Sequence, residues 1–199
     1  MLALVVVTWL GACAKKESAA TDSAKMADSQ AAATTTPAPA TDTAKPAAAA
    51  LNDAQIAHIA VTANAIDSAA GVMAKKQGSA KSVKDFAQTM IDDHTAVNKK
   101  AVALATKLKV TPEDNDVSKS LKSGADASTS NLQGKSGADF DKGYIDNEVT
   151  YHQSVLDALD KTLIPGAQNA ELKSLLEQVR PQIAAHLARA KSVQTGLNK

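Results

Sequence analysis

TPEDNDVSKSLKSGADASTSNLQGKSG, residues 111–137, decides how this chain folds. It is polar, it opens on Thr111-Pro112, and Gly124, Gly134 and Gly137 interrupt it, with room for one short helix over about Val117 to Leu132. Strongly periodic helical segments lie on both sides. Antiparallel helix neighbours need only a few connecting residues, so a connection of this length implies a crossover along the length of a bundle.

Upstream, Asn52 or Asp53 can cap a helix running to about Lys76, with Ile56, Ile59, Ala60, Ala63, Ile66, Ala70 and Met73 on one face. Gly78-Ser79 breaks it. A second helix from about Ser79 to Lys109 carries Val83, Phe86, Ala87, Met90, Val97, Ala101, Leu104 and Leu108 inward, giving an antiparallel hairpin. Downstream, a third helix covers about Ala138 to Thr162 and a fourth about Asn169 to Leu197, separated by Ile164-Pro165-Gly166. Leu172, Leu175, Leu176, Val179, Ile183, Leu187, Ala190 and Val193 form the last stripe. Pro181 should kink that helix near Gln178 or Val179. The expected fold is all-α: a ferritin-like four-helix bundle with a long crossover between helices 2 and 3, its four stripes meeting in one core.

The bundle is preceded by two segments of different character. Residues 1–13 hold a short apolar run, Leu2 to Leu10, below the roughly 18–20 residues that span a bilayer, so it reads as an export signal. It ends in Leu10-Gly11-Ala12-Cys13, which resembles a bacterial lipobox and marks Cys13 as the lipidated residue. Cys13 is the chain's one cysteine, and lipidation accounts for a thiol that would otherwise be left over in an oxidising envelope compartment. Residues 14–50 are rich in Ala, Thr and Pro and cannot bury enough surface to offset ordering entropy, so a disordered tether is expected. Attachment is expected through the lipid on Cys13 at the periplasmic face of the outer membrane, the alternative being a protein secreted to the periplasm.

Charge excludes one class of partner. With 22 basic and 21 acidic residues, there is no basic footprint for nucleic acid. Phosphate-binding glycine loops, cysteine pairs and nucleophile elbows are absent from the sequence. A protein partner or self-association remains open, with the alanine-rich face of the first helix as the candidate surface.

Three histidines carry the chemical content. At about 100° per residue, His94, His152 and His186 fall on the apolar faces of their helices, whereas His58 points about 120° from the centre of its stripe and is expected at the surface. Glu148 sits one turn before His152 on the same inward face, and Asp93 lies at the edge of the face holding His94. Asp92 points away. If the crossover makes helices 2 and 3 parallel, His94 and His152 lie about 20 Å from one end, and Glu148 and His186 about 15 Å. The candidate set is therefore His94, Glu148, His152, His186 and Asp93, with Asp67 the one further acid to consider. Two outcomes are expected for it. Either Asp93, Glu148, Tyr144 or Tyr151 satisfy the imidazoles in a buried hydrogen-bond network, or the set binds zinc, copper or iron.

FAQTMIDDH (86–94), SGADFDKGYIDNEVTYHQ (136–153) and LEQVRPQIAAHLARA (176–190) resemble, in order, the motifs of the DUF4142 family over about residues 52–195. That resemblance implies an uncharacterised bacterial envelope protein with a ferritin-like bundle. It also implies glutamates on the first helix near positions 67 and 69, where this chain has Asp67 and Ala69. Glu148 and His152 are spaced Glu-x-x-x-His, not the Glu-x-x-His of di-iron carboxylate bundles, which disfavours a di-iron enzyme. The functional expectation is a non-enzymatic binding or stress-related structural module. The alternative is a metal-binding protein with a His/Glu site in the bundle core.

Overall fold

The structure is a computed structural model that describes residues 50–199. The signal segment, Cys13 and the tether up to residue 49 lie outside the described residues. Those described form an all-α domain: α1 (Asp53–Gln77), α2 (Lys81–Lys107), α3 (Asp116–Leu132), α4 (Gly137–Ala158), a π-helical turn (Leu159–Leu163), a short α5 (Ile164–Gly166) and α6 (Ala170–Leu197).

Local chemistry sets most of the boundaries. Asn52 starts α1 through a capping box with Gln55, its Oδ1 accepting the Gln55 N–H at 2.8 Å. Asp53, the other candidate cap, acts across the fold instead, accepting the N–H groups of Gln168 and Asn169 at 2.9 Å each ahead of α6. Asn115 and Ser118 form a second capping box at α3, so the long polar connection becomes a helix of 17 residues. The stretch expected to separate the last two helices stays helical. Pro165 is the second residue of α5, directly after Ile164, whose N–H closes the π-helical turn on the Leu159 carbonyl. Pro181 lies inside the single helix α6.

The N-terminus of α2 has no side-chain cap of its own. Asp141 of α4, almost fully buried, supplies one, accepting the N–H of Ser79 at 2.9 Å, that of Ala80 at 2.7 Å and the Ser79 hydroxyl. Asp141→Ala leaves these donors without their acceptor and is expected to cost about 2–4 kcal/mol. Thermal unfolding would then shift down by roughly 4–16 °C for a domain of this size. An unchanged midpoint would remove the cap from the list of what joins α2 to α4.

Helix α1 packs on α2, α4 on α6, α2 on α6 and α1 on α4, while α3 lies on α1 and α4. At Gly71 the first pair approaches so closely that an added Cβ would come within 2.9 Å of the Ala87 carbonyl oxygen. The stripe of α1 is turned from the expected one. Past Ile56 and Ile59 the buried line passes through Asn64, Asp67, Gly71 and Ala74, whereas Ile66, Ala70 and Met73 are only half-buried. Those three border a groove that α3 covers, so their apolar surface serves the crossover helix and the polar line faces the interior.

The interior holds two apolar clusters rather than one. The first joins Ala74, Val83, Phe86, Ala87, Met90, Leu132, Phe140, Tyr144, Ile145 and Ala190. The second joins Ile56, Ile59, Leu159, Leu163, Ala167, Leu172, Leu176 and Ile183. Along α1, α4 and α6 a buried polar segment separates the residues of one cluster from those of the other: Asn64 and Asp67, Glu148 and His152, and His186.

Candidate metal centre

His94, His152 and His186 meet in that layer. Their ring centroids are 5.1 Å (His94–His186), 5.4 Å (His152–His186) and 5.7 Å (His94–His152) apart, a nearly equilateral triangle of buried imidazoles. One nitrogen of each ring is assigned by its partner. Asn64 Nδ2 donates to the Ala60 carbonyl at 2.8 Å, which turns Asn64 Oδ1 toward His94 Nδ1 at 2.9 Å. A carbonyl oxygen only accepts, so Nδ1 of His94 carries the proton. His152 Nδ1 likewise donates to the Glu148 backbone carbonyl at 3.0 Å, and His186 Nε2 to the Asp93 carboxylate at 2.8 Å.

Three lone pairs remain: His94 Nε2, His152 Nε2 and His186 Nδ1, all buried and without a hydrogen-bond partner. Asp67 Oδ2 lies 3.2 Å from His94 Nε2 and 3.3 Å from His152 Nε2. Ligands bonded at about 2.0–2.1 Å to one tetrahedral ion stand roughly 3.3–3.4 Å apart. These two separations fit that edge. The three histidines form a set whose ligand atoms lie within 4.8 Å of one another, and Asp67, Glu148 and His152 form a second such set. The buried cluster can therefore hold a metal ion. Both sets draw on His152, whose Nδ1 is already committed to the Glu148 carbonyl, so its remaining nitrogen serves one ion.

Electrostatics favour the neutral form of two of the imidazoles, His94 and His186. Burial, with the neighbouring His186 and His152, pushes the His94 pKa down to about 3. Burial also lowers that of His186, against the pull of Asp93. Asp67 is raised well above the carboxylate range by burial and then by Glu148. Burial raises Glu148 to about 8, tempered by the neighbouring Asp67 carboxyl. This carboxyl pair retains a proton at neutral pH, because two adjacent desolvated carboxylates cannot both ionise cheaply. Asp93, which partial burial would raise, is held below the ordinary range by hydrogen bonds from His186 and Gln182.

Of the residues singled out by sequence, His94, His152 and His186 converge, and Glu148 stands beside Asp67. Asp93 sits behind His186, on the nitrogen turned away from the cluster. Tyr151 donates its hydroxyl to the Ala63 carbonyl at 2.9 Å, and the Tyr144 hydroxyl has no partner, so neither tyrosine satisfies a histidine. His58 is not a fully exposed residue: its side chain is 19% accessible and lies 3.6 Å from Asp114, just before α3. Sequence reasoning missed Asn64 and gave Asp67 only as a further acid. Their spacing, three residues apart on α1 and continued by Gly71 and Ala74, was the available signal.

Fold and site together define an all-α protein with a buried tri-histidine and carboxylate cluster. The chain belongs to the DUF4142 family, a domain of unknown function, which it matches over residues 38–193. Comparisons with curated proteins and with solved structures gave no match.

Proposed function

We propose that this protein binds one first-row transition ion, zinc, copper or iron, through His94 Nε2, His152 Nε2 and His186 Nδ1, with Asp67 as the fourth ligand. The observation that carries the reading is the commitment of one nitrogen of every imidazole to an acceptor-only partner, which leaves one buried, unpartnered nitrogen on each of three histidines whose ligand atoms lie within 4.8 Å of one another. Such outer hydrogen bonds orient metal-binding histidines and fix their tautomers. A closed hydrogen-bond network explains the cluster less well. Asp67 and Glu148 supply at most two protons, so at least one of the three nitrogens stays buried without a donor, which costs about 1–3 kcal/mol.

The ferritin-like arrangement belongs to the same reading. Along α2 and α4 the chain passes from the first apolar cluster to the histidine, and along α1 and α6 it approaches the polar layer from the second. That order supports a parallel α2 and α4 joined by the crossover through α3. We further infer a domain organisation of anchor (1–13), tether (14–50) and metal-binding domain (51–199). Attachment through Cys13 at the periplasmic face of the outer membrane is supported by the apolar run that ends at the chain's one cysteine. Large exposed apolar residues are scattered among the described helices at Val72, Val102 and Val117, which gives self-association less support than metal binding.

The test is the metal content of residues 46–199, a compact unit by itself, purified without chelator or histidine tag and then titrated with zinc, copper and iron. About one equivalent is expected, and none in a His94→Ala/His152→Ala variant. Equal binding by parent and variant would end the proposal.

A further inference from the structure

The part of the interior built around the second apolar cluster is hollow. A cavity of about 300 Å³ runs from the histidine layer between α1, α4 and α6. Ile59, Leu159, Leu163, Leu176, Val179 and Ile183 form its walls, and Asp67, His94 and His152 face it at one end. At the cluster end, His94 Nε2, His152 Nε2 and both carboxyl oxygens of Asp67 are without hydrogen-bond partners. Tyr151 also borders it, but its hydroxyl is already used by Ala63.

Helix α3 forms the cover. Val117 and Leu121 border the cavity from α3, and Ser120 of α3 and Ser154 of α4 also line it, both exposed to solvent. Only Ser118 and Leu132 of α3 are buried, so this helix is held by less packing than the four beneath it. Ser120, Leu121 and Ser154 also line the groove on the far side, between α3, α1 and α4. Exposed residues that line both spaces put an opening at the margin of α3.

Size and chemistry select the occupant. An apolar cavity of about 150 Å³ accommodates a benzene and stays free of water, so one twice as large takes roughly a dozen non-hydrogen atoms. Walls that offer no hydrogen bonds exclude sugars, nucleotides and peptides, whose polar groups would be buried unpaired. We propose that the cavity binds a single aliphatic chain of about that size ending in one oxygen donor, the chain along the apolar walls and the oxygen at the metal. The proposal rests on the metal-binding reading, in which a four-coordinate ion accepts a fifth ligand.

The experiment titrates residues 46–199, loaded with zinc or treated with chelator, with 1-decanol, decanoate and decane by calorimetry. Zinc is expected to tighten binding of decanol or decanoate at least tenfold over the chelated protein, with decane weaker than either. Ala101 lines the cavity from α2 and Ala63 from α1, and neither is a ligand. Ala101→Phe and Ala63→Leu should each weaken chain binding at least tenfold while keeping one equivalent of zinc, and that zinc also certifies the folded site. Failure of the zinc-loaded parent to bind either oxygen-bearing probe would overturn the proposal. So would binding indifferent to zinc, decane binding as tightly as both, or unweakened binding by both filled variants. If zinc binds and no chain does, the metal reading stands alone; if zinc does not bind, both fall.

Discussion

Zinc at a free concentration a hundredfold above its Kd is expected to add about 2.7 kcal/mol to the unfolding free energy of the domain. That raises its melting temperature by roughly 5–10 °C. The increment depends on the lone pair that each imidazole has left over. His152→Ala removes a nitrogen shared by both candidate ligand sets and should abolish the shift. Glu148→Gln leaves the three imidazoles and Asp67 in place and should keep most of it. Burial and Glu148 raise the Asp67 pKa and so favour its protonated form without metal, and it must ionise to become a ligand. Binding at pH 6 should therefore release about one proton, visible as a dependence of the calorimetric enthalpy on the ionisation heat of the buffer. Copper should bind more tightly than zinc in a nitrogen-rich set. A zinc shift of equal size in His152→Ala would place the ion elsewhere and remove the centre proposed here.

The helices and three of the site residues were legible because helical periodicity reports the inward face whatever residue occupies it. His94, His152 and His186 occupied positions where an apolar side chain was due. Histidine there is conspicuous. Asn64 escaped, and Asp67 was singled out only as a further acid, because the first helix offers two plausible stripes, one apolar through Ile66, Ala70 and Met73 and one of small and polar residues through Asn64, Asp67 and Gly71. An apolar residue is ordinarily the better guide to the interior. Here α3 gives the apolar stripe its own cover, and the inner line is left to Asn64, Asp67 and Gly71, the last of which permits the close approach to α2. The one-core expectation failed for the same reason: hydrophobic periodicity does not show that a polar layer interrupts the interior at one level in several helices. Asp141 was invisible as a cap because it lies more than 60 residues from the donors it satisfies, and capping rules read only neighbours.

Without metal, the domain is expected to be most stable between about pH 4.5 and 6.5 and to weaken on either side. His94 has a folded pKa of about 3 against an ordinary 6.5. Between those values the unfolded chain binds a proton that the folded chain refuses, so stability is lost as pH falls from 6.5, by about 1.4 kcal/mol per unit for each such group. His186, also lowered, acts in the same direction. Glu148 is opposite, at about 8 in the fold against an ordinary 4.5. The folded chain keeps a proton that the unfolded chain has released, so its contribution is present below 4.5 and is lost as pH rises toward 8. Asp67, raised beside it, adds to that loss. From 4.5 to 6.5 the two slopes oppose each other; above 6.5 the carboxyl pair acts alone. Urea unfolding in chelator from pH 4 to 8 should show the decline on the alkaline side, and Glu148→Gln, which holds the neutral form permanently, should flatten it. Saturating zinc should flatten it too, because the ion takes over the charge compensation that the proton supplied on Asp67. Stability that climbs from pH 6 to 8 in chelator would mean that the carboxyl pair holds no extra proton. The layer would then be ionised before any metal arrives, and zinc uptake at pH 6 would release no proton from it.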